Sequence, residues 1–349
     1  MEDFFGNKYK KFIIVPAVLF VIMLFLSFVY PGFSPGIDLT GGNLIIVRSQ
    51  TELSEQQITN ILNTEFDLTE LKVSTIASPT GYGAWIEYSK DPLVSETEQL
   101  INNATKEIDN DSVSIEYSNK VIELLGKERK DFANAKLALL DAQDALTEYK
   151  EIFSTKLQTL LTKELGLGED VEFQRKEISQ TLGLESQTAA AQIFLVGMVL
   201  IIIIIFISFR QVIPSVAIIL AMIFDIIAGL TGMALLNIPL SLTTIPALLM
   251  LVGYSVDTDI MLTTRLLKDN SGTPNERATN SMKTGLTMTG TTLAALSAMM
   301  IIAYFNQIEV IYHITAILLF GLIGDVISTW FMNAPILLWF VKKKGRHRI

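Results

Sequence analysis

Apolar residues follow two rhythms along this chain. In six places they run almost unbroken, and hydropathy predicts helices over 12–30, 191–209, 212–236, 241–264, 284–304 and 311–341. The clearest run, Ile193 to Phe209 (IFLVGMVLIIIIIFISF), carries no charge and is long enough to cross most of a ~30 Å hydrocarbon core. Between the first and second runs lies a long polar stretch in which apolar positions alternate or recur at helical spacing. Asn43 to Ser49 (NLIIVRS) and Leu71 to Ala77 alternate and are β-branched. A Gly81-Tyr82-Gly83 turn then leads to a third strand over Ala84 to Tyr88. Ser54 opens a helix over Glu55 to Phe66. Ser95 and Glu98, in capping-box spacing, open another over Ser95 to Ile108. With a last strand over Val171 to Ile178, the order reads β-α-β-β-α-β, the split βαβ of ferredoxin-like domains. Leu124, Leu125, Phe132, Leu139, Leu140 and Leu146, spaced mostly by three, four or seven, mark residues 119–165 as an amphipathic helical insertion. That insertion is either an arm that docks a partner or substrate, or a packing element of its own domain.

Charge turns this pattern into a topology. The stretch from Phe33 to Thr188 holds 14 Lys+Arg against 27 Asp+Glu, while the rest of the chain is net basic. Lys8, Lys10, Lys11, Arg210, the loop with Arg265, Lys268, Arg277 and Lys283, and the tail from Lys342 to Arg348 all fall on one side of a six-span arrangement. Asn237 to Leu240 and Asn306 to Val310, on the other side, carry no Lys or Arg. The positive-inside rule then places both termini in the cytoplasm and the acidic stretch outside it.

The fold class that follows is a polytopic α-helical membrane protein with six transmembrane helices in a one-plus-five arrangement, and an extracytoplasmic α+β ferredoxin-like domain carrying a helical insertion. Its parts are the N-terminus and first span (1–32), the external domain (33–188), a five-helix bundle (189–341) and a basic cytoplasmic tail (342–349). The first apolar segment follows three lysines, as a signal peptide would. It is longer than a signal h-region and ends in Val29-Tyr30-Pro31-Gly32, so it reads as an uncleaved anchor. With 50% hydrophobic residues the chain belongs in a lipid bilayer, and the lack of a dense basic face argues against nucleic acid as a partner. There is no cysteine, and no metal constellation, phosphate loop or nucleophile–base pair is present. No cofactor and no catalytic residue are indicated.

Four acids stand inside the apolar runs: Asp225 in the third, Asp257 and Asp259 in the fourth, and Asp325 in the sixth. An ionised carboxylate at membrane depth costs ~2.5–3.5 kcal/mol, so each marks either a proton or ion path or a hydrogen bond to a neighbouring helix. Function is favoured for Asp257 and Asp259. For Asp225 and Asp325 the two readings balance. Asp257 and Asp259 lie about 200° apart on a helix and cannot face one partner. Arg265 lies ~12 Å further along the axis and reads as an interfacial anchor. The run Thr287-Met288-Thr289-Gly290-Thr291-Thr292 offers either hydroxyls for a polar path or small residues for close helix packing, as do Gly229/Gly232 and Gly321/Gly324 for packing. Pro214 sits near a helix start, whereas Pro246 and Pro335 lie within spans and are candidate kinks. His313 is expected at the interface and His347 in the basic tail.

Three motifs carry a family resemblance. Gly36-Ile37-Asp38-Leu39-Thr40-Gly41-Gly42, directly after the first span, resembles the G-I-D-hydrophobic-x-G-G signature of the SecD/SecF family of protein-export subunits, relatives of the RND exporters. Val252-Gly253-Tyr254-Ser255-Val256-Asp257-Thr258-Asp259, followed by Arg265, resembles the family's fourth-helix motif, and Thr289-Gly290-Thr291-Thr292 its fifth. Bacterial SecF members read Asn-Asp-Thr where this chain has Asp257-Thr258-Asp259, so the chain resembles the archaeal form. A basic residue that the bacterial family places in the fifth helix is matched only by Lys283, shifted about one residue toward the cytoplasm. The resemblance implies a SecD-like partner subunit, association with the Sec translocon channel, contact with a translocating polypeptide and use of the proton or ion gradient. Asp257, Asp259, Asp225 and Asp325 would form the path, supported by Arg265, Lys283, Thr289, Thr291 and Thr292. Two other readings stay open from the residues: an RND-type exporter of small molecules or lipids, and a non-transporting membrane scaffold or sensor.

Overall fold

The computed structural model describes residues 5 and 9–346, apart from 67, 69, 79, 80, 90, 169, 170, 179 and 270. Lys8, His347 and Arg348, which the charge pattern counts among the flanking basic residues, lie outside the described residues. In chain order the elements are α1 (Ile14–Phe28), a short α2 (Ile37–Thr40), β1 (Gly42–Ser49), α3 (Glu55–Glu65), β2 (Lys72–Ser78), β3 (Gly81–Tyr88), α4 (Pro92–Lys106), α5 (Asp111–Leu124), α6 (Ala135–Glu164), β4 (Glu172–Ile178), α7 (Gln180–Phe209), α8 (Val212–Leu235), α9 (Thr244–Lys268), α10 (Pro274–Phe305), α11 (Glu309–Ser328) and α12 (Ala334–Arg346). They form two compact units, Met1–Leu39 with Glu185–Ile349, and Thr40–Leu184.

In the second unit four strands pair in the order β2-β3-β1-β4, all antiparallel, which is the ferredoxin-like sheet. Period-two alternation puts Ile45 and Val47 of β1 in the core with Ile86 of β3 and Val73 of β2. The predicted Gly81-Tyr82-Gly83 turn is corrected: these residues already pair in β3, Gly81 with Ser78 and Gly83 with Ile76. The second predicted helix also starts earlier. Asp91 caps it, its carboxylate accepting the Leu93 N–H at 2.9 Å, and Pro92 takes the first turn, where a missing N–H costs nothing. Glu98, assigned by spacing to a capping box, instead pairs with Lys150 at 2.8 Å.

The insertion is a hairpin of α5 and α6, and it begins at residue 111 rather than 119. Its long helix serves two cores. The first half of α6 packs through Ala142 against Val121 and Ile122 of α5, whereas Leu157 and Leu161, near its end, join Ile58 and Leu62 of α3 over the sheet. The second helix of the ferredoxin-like layer is therefore the end of α6, not the predicted 95–108 segment, because α6 is the element that leads into β4. At the change of core Lys150 bridges Glu98 of α4 and Glu177 of β4, at 2.8 and 2.5 Å.

This network sets an alkaline limit. Burial lowers the Lys150 ammonium's pKa, but bonds from Glu177 and Glu98 outweigh it and raise the value above its ordinary one. Burial pushes the Tyr88 phenol up to about 12; burial and the bond to Asp91 do the same for Tyr149. Groups that hold their protons more tightly when folded give their full stabilisation below the unfolded pKa of about 10 and lose it as pH climbs through the folded value. Thermal unfolding of the sheet, followed by its infrared amide band, is expected to be flat to about pH 9.5 and to fall steeply from about 10 to 12. Tyr88→Phe should make the fall shallower; an identical slope would rule out this origin.

Among the described residues of the first unit, six helices are long and apolar enough to cross a membrane: Lys11–Phe28, Glu185–Phe209, Val212–Leu235, Thr244–Lys268, Pro274–Phe305 and Glu309–Lys343. The fifth begins well before the predicted residue 284, at a capping box in which the Thr273 hydroxyl accepts the Glu276 N–H at 3.2 Å and the Glu276 carboxylate accepts the Thr273 N–H at 3.0 Å. Pro246 is not a kink: it lies in the first turn of α9, where N–H groups have no helical partner. Pro335 does interrupt its helix. It has no N–H for the Phe331 carbonyl, and the preceding turn, Thr329–Asn333, widens to π-helical geometry between α11 and α12. His313, near the start of α11, is buried beside Glu309.

Candidate functional site

Glycines bring α8, α9 and α11 close enough for their acids to meet. A Cβ on Gly232 would strike the Phe320 ring, one on Gly321 would strike the side chain of Leu251, and one on Gly324 would strike Ala228. In the gap so closed, Asp225 of α8, Asp259 of α9 and Asp325 of α11 are all fully buried, near the middle of their spans.

The linkers come chiefly from the last span. Ser328 donates to Asp225 Oδ1 at 2.7 Å, and Ser255 of α9 donates to Asp225 Oδ2 in a short contact. Thr329 Oγ1 lies 2.9 Å from Asp259 Oδ1 and 3.0 Å from Asp325 Oδ1. Asn333 Nδ2 donates to Asp259 Oδ1 at 2.6 Å. Asp225 is thus capped on both oxygens, while Asp259 Oδ2, Asp325 Oδ2 and Asn333 Oδ1 are buried without a donor among the described residues. No Lys, Arg or His pairs with the three acids among the described residues. The π-helical turn matters here, since Thr329 and Asn333 are its two ends.

Asp257 is not part of this cluster. It faces outward from α9 beside Gly253 and Tyr254, on the opposite side from Asp259, as their 200° separation requires. Arg265 reaches α10, donating to Thr284 Oγ1 at 3.0 Å and the Asn280 carbonyl at 3.4 Å, and Lys283 is exposed. Thr289 is buried, whereas the hydroxyls of Thr291 and Thr292 donate to the Met288 carbonyl of their own helix, at 2.8 and 3.1 Å, and do not extend the cluster. Because α9 and α10 run antiparallel and meet at Arg265–Thr284, Asp257 stands level with Thr291 and Thr292. The exposed residues of α10 at that depth include Gly290, Thr291, Ala294, Ala295 and Ala298, with Met288 and Met299 beside them. Cβ atoms on Gly253 and Gly290 would meet open space.

The glycine motif after the first span works separately. Gly36 N–H donates to the Leu240 carbonyl at 2.7 Å and Leu240 N–H to the Ser34 carbonyl at 2.8 Å, tying the exit of α1 to the α8–α9 loop. A Cβ on Gly36 would come within 3.2 Å of Leu240 O. Asp38 is buried, and Gly41 and Gly42 take φ of +78° and +143°, which side chains disfavour, to turn the chain into β1.

The family model of the protein export membrane protein SecD/SecF, C-terminal, matches residues 160–343, more than half of the chain and all three buried acids. The protein-export membrane protein SecF of Methanothermobacter thermautotrophicus is 30% identical over 342 residues, covering 97% of this chain and 95% of its own. The chain belongs to the SecD/SecF family. Another SecF, from Methanolacinia petrolearia, is 44% identical over 170 residues, 49% of this chain and 60% of that protein. The crystal structure of SecDF from Thermus thermophilus, described as a translocon-associated membrane protein, matches 97% of this chain with a TM-score of 0.65 at 17% identity. This SecD/SecF-family chain spans 38% of that solved chain, and the likeness is one of fold. Ser255, Ser328, Thr329 and Asn333 are the site residues the sequence reading missed. The signal was available: Asp325, Thr329 and Asn333 repeat every four residues, a polar stripe on an otherwise apolar helix.

Proposed function

We propose that this chain is the SecF-type half of a complex with a SecD-like subunit, that it assists Sec-dependent translocation of polypeptides across the cytoplasmic membrane beside the translocon channel, and that it uses the proton gradient. The buried cluster of Asp225, Asp259 and Asp325 carries the reading. Three carboxyls in the middle of a bundle, with no cation paired to them among the described residues, are costly as fixed charges and useful as groups that take up and release protons. The distribution of Lys and Arg supports cytoplasmic termini and an external Thr40–Leu184 unit. That unit offers a cleft of about 560 Å³, its walls including Phe66, Leu93, Ile152 and Phe153, with Asp91 and Lys156 at hand, a chemistry suited to an extended polypeptide.

The outward side of α9 and α10 supports the partner assignment. A carboxylate at mid-depth does not face lipid at equilibrium without cost, and a surface that presents several Gly, Ala and Thr residues is one that helices pack against closely. A second six-span subunit covering Asp257 satisfies both. The test of coupling is Asp259→Asn, expressed at wild-type level in the native cell. It is expected to slow maturation of secreted precursors by about tenfold or more, as loss of a proton-transfer group does elsewhere. Maturation at the wild-type rate would sink the coupling.

A further inference from the structure

Hydrogen counting in the cluster leads past the assignment of acids to a path. A threonine hydroxyl has one hydrogen and two lone pairs. Thr329 Oγ1 is nevertheless within hydrogen-bond distance of two carboxyl oxygens, Asp259 Oδ1 at 2.9 Å and Asp325 Oδ1 at 3.0 Å. It can donate to one of them only, and the second contact closes when that carboxyl itself carries a proton and donates to Oγ1. A second observation points the same way. Asn333, fully buried and bonded to Asp259 through Nδ2, leaves its Oδ1 without a donor, as are Asp259 Oδ2 and Asp325 Oδ2. On Asp259, Asp325 and Asn333 the orphaned atoms are all acceptors, so these three side chains are short of hydrogen.

We infer that Asp259 and Asp325 hold one proton between them and that the Thr329 hydroxyl relays it from one to the other. In the step, the O–H bond of Asp325 breaks as an O–H bond forms on Thr329 Oγ1, while the hydroxyl's original hydrogen leaves for Asp259 Oδ1. The hydroxyl is unchanged, the proton has moved from α11 to α9, and the negative charge has moved the other way. Both distances lie in the range in which such a transfer proceeds directly. Asp225 faces the pair from α8 but is held on both oxygens by Ser255 and Ser328, which sets it apart from the relay. Among the other charged groups of the packed helices, Arg265 is turned to Thr284, Lys283 is exposed, and His313 sits with Glu309 at the far end of α11. Thr329 opens the π-helical turn, so a proton moving across it changes the bonds that hold that turn.

The inference deepens the coupling reading and rests on it for its purpose, though its test does not. The chain, purified from its own membrane with whatever subunits accompany it and placed in lipid nanodiscs, is examined by infrared spectroscopy at neutral pH. The wild type is expected to show a protonated-carboxyl band that the Asp259→Asn/Asp325→Asn variant lacks. On transfer to D2O, exchange of that band should slow by about tenfold or more in Thr329→Val and in Thr329→Ala, and return to the wild-type rate in Thr329→Ser. The alanine variant cannot overpack, and the serine variant separates loss of the hydroxyl from loss of the methyl. Absence of the band in the wild type, or unchanged exchange in both hydroxyl-free variants, overturns the relay. Slowed exchange in a protein whose precursor export ignores Asp259→Asn would leave the relay standing and remove the coupling reading alone.

Discussion

Gly321→Val is expected to cost the bundle about 3 kcal/mol, the upper range for forcing extra carbon into a packed core, and to lower the midpoint of thermal unfolding in detergent by about 10 °C. The reason is local. A Cβ at this position would collide with three atoms of Leu251, a fully buried side chain that also lies against Gly229. Leu251 cannot move away, because it packs with Leu296, Leu318 and Leu322 in the same apolar cluster. In lipid the helices cannot be driven together by the exclusion of water, so their contact depends on backbones that approach closely. Separating α9 from α11 would also pull Asp259 from Thr329, and function should fall with stability. The matched control is Gly253→Val, whose added atoms meet open space. Equal losses for the two variants would show that the contact with Leu251 is not what makes Gly321 necessary.

A double substitution on the outward side should have the opposite profile. Asp257→Leu with Gly290→Leu is expected to leave the unfolding midpoint of the isolated chain unchanged or raised, since neither site touches its own bundle and glycine is a poor helix residue. Recovery of the SecD-like subunit in mild detergent should drop about a hundredfold. That figure combines ~1 kcal/mol for a polar contact between helices with ~2 kcal/mol for a bulky side chain where a partner helix needs a small one. Undiminished recovery would place the partner elsewhere. A destabilised isolated chain would mean that Asp257 serves its own fold.

Much of the architecture is legible in the residues because it is local. Apolar runs of membrane length, an alternating strand and a Gly-rich turn at the exit of the first span are each defined by neighbours in sequence. The misplaced elements were decided by competition. The helix at Pro92 starts where Asp91 and Pro92 outbid Ser95 and Glu98, and the polar first turns of α10 fall outside any hydropathy window although Thr273 and Glu276 cap them. The separation of Asp257 from Asp259 follows from helical spacing alone, but not which of them turns inward.

What the sequence by itself determined is therefore the set of elements: six apolar helices, a split βαβ domain, and acids at mid-depth in three of the spans. Only the tertiary structure decided that α6 would supply the second helix over the sheet, that Pro335 would open a π-helical turn, and that Asp225, Asp259 and Asp325 would share one buried site while Asp257 faces out. The physical reason is that periodicity fixes which side of a helix a residue occupies. Which sides meet depends on how closely and at what angle the helices cross, and in this bundle that is set by Gly232, Gly321 and Gly324 against Phe320, Leu251 and Ala228.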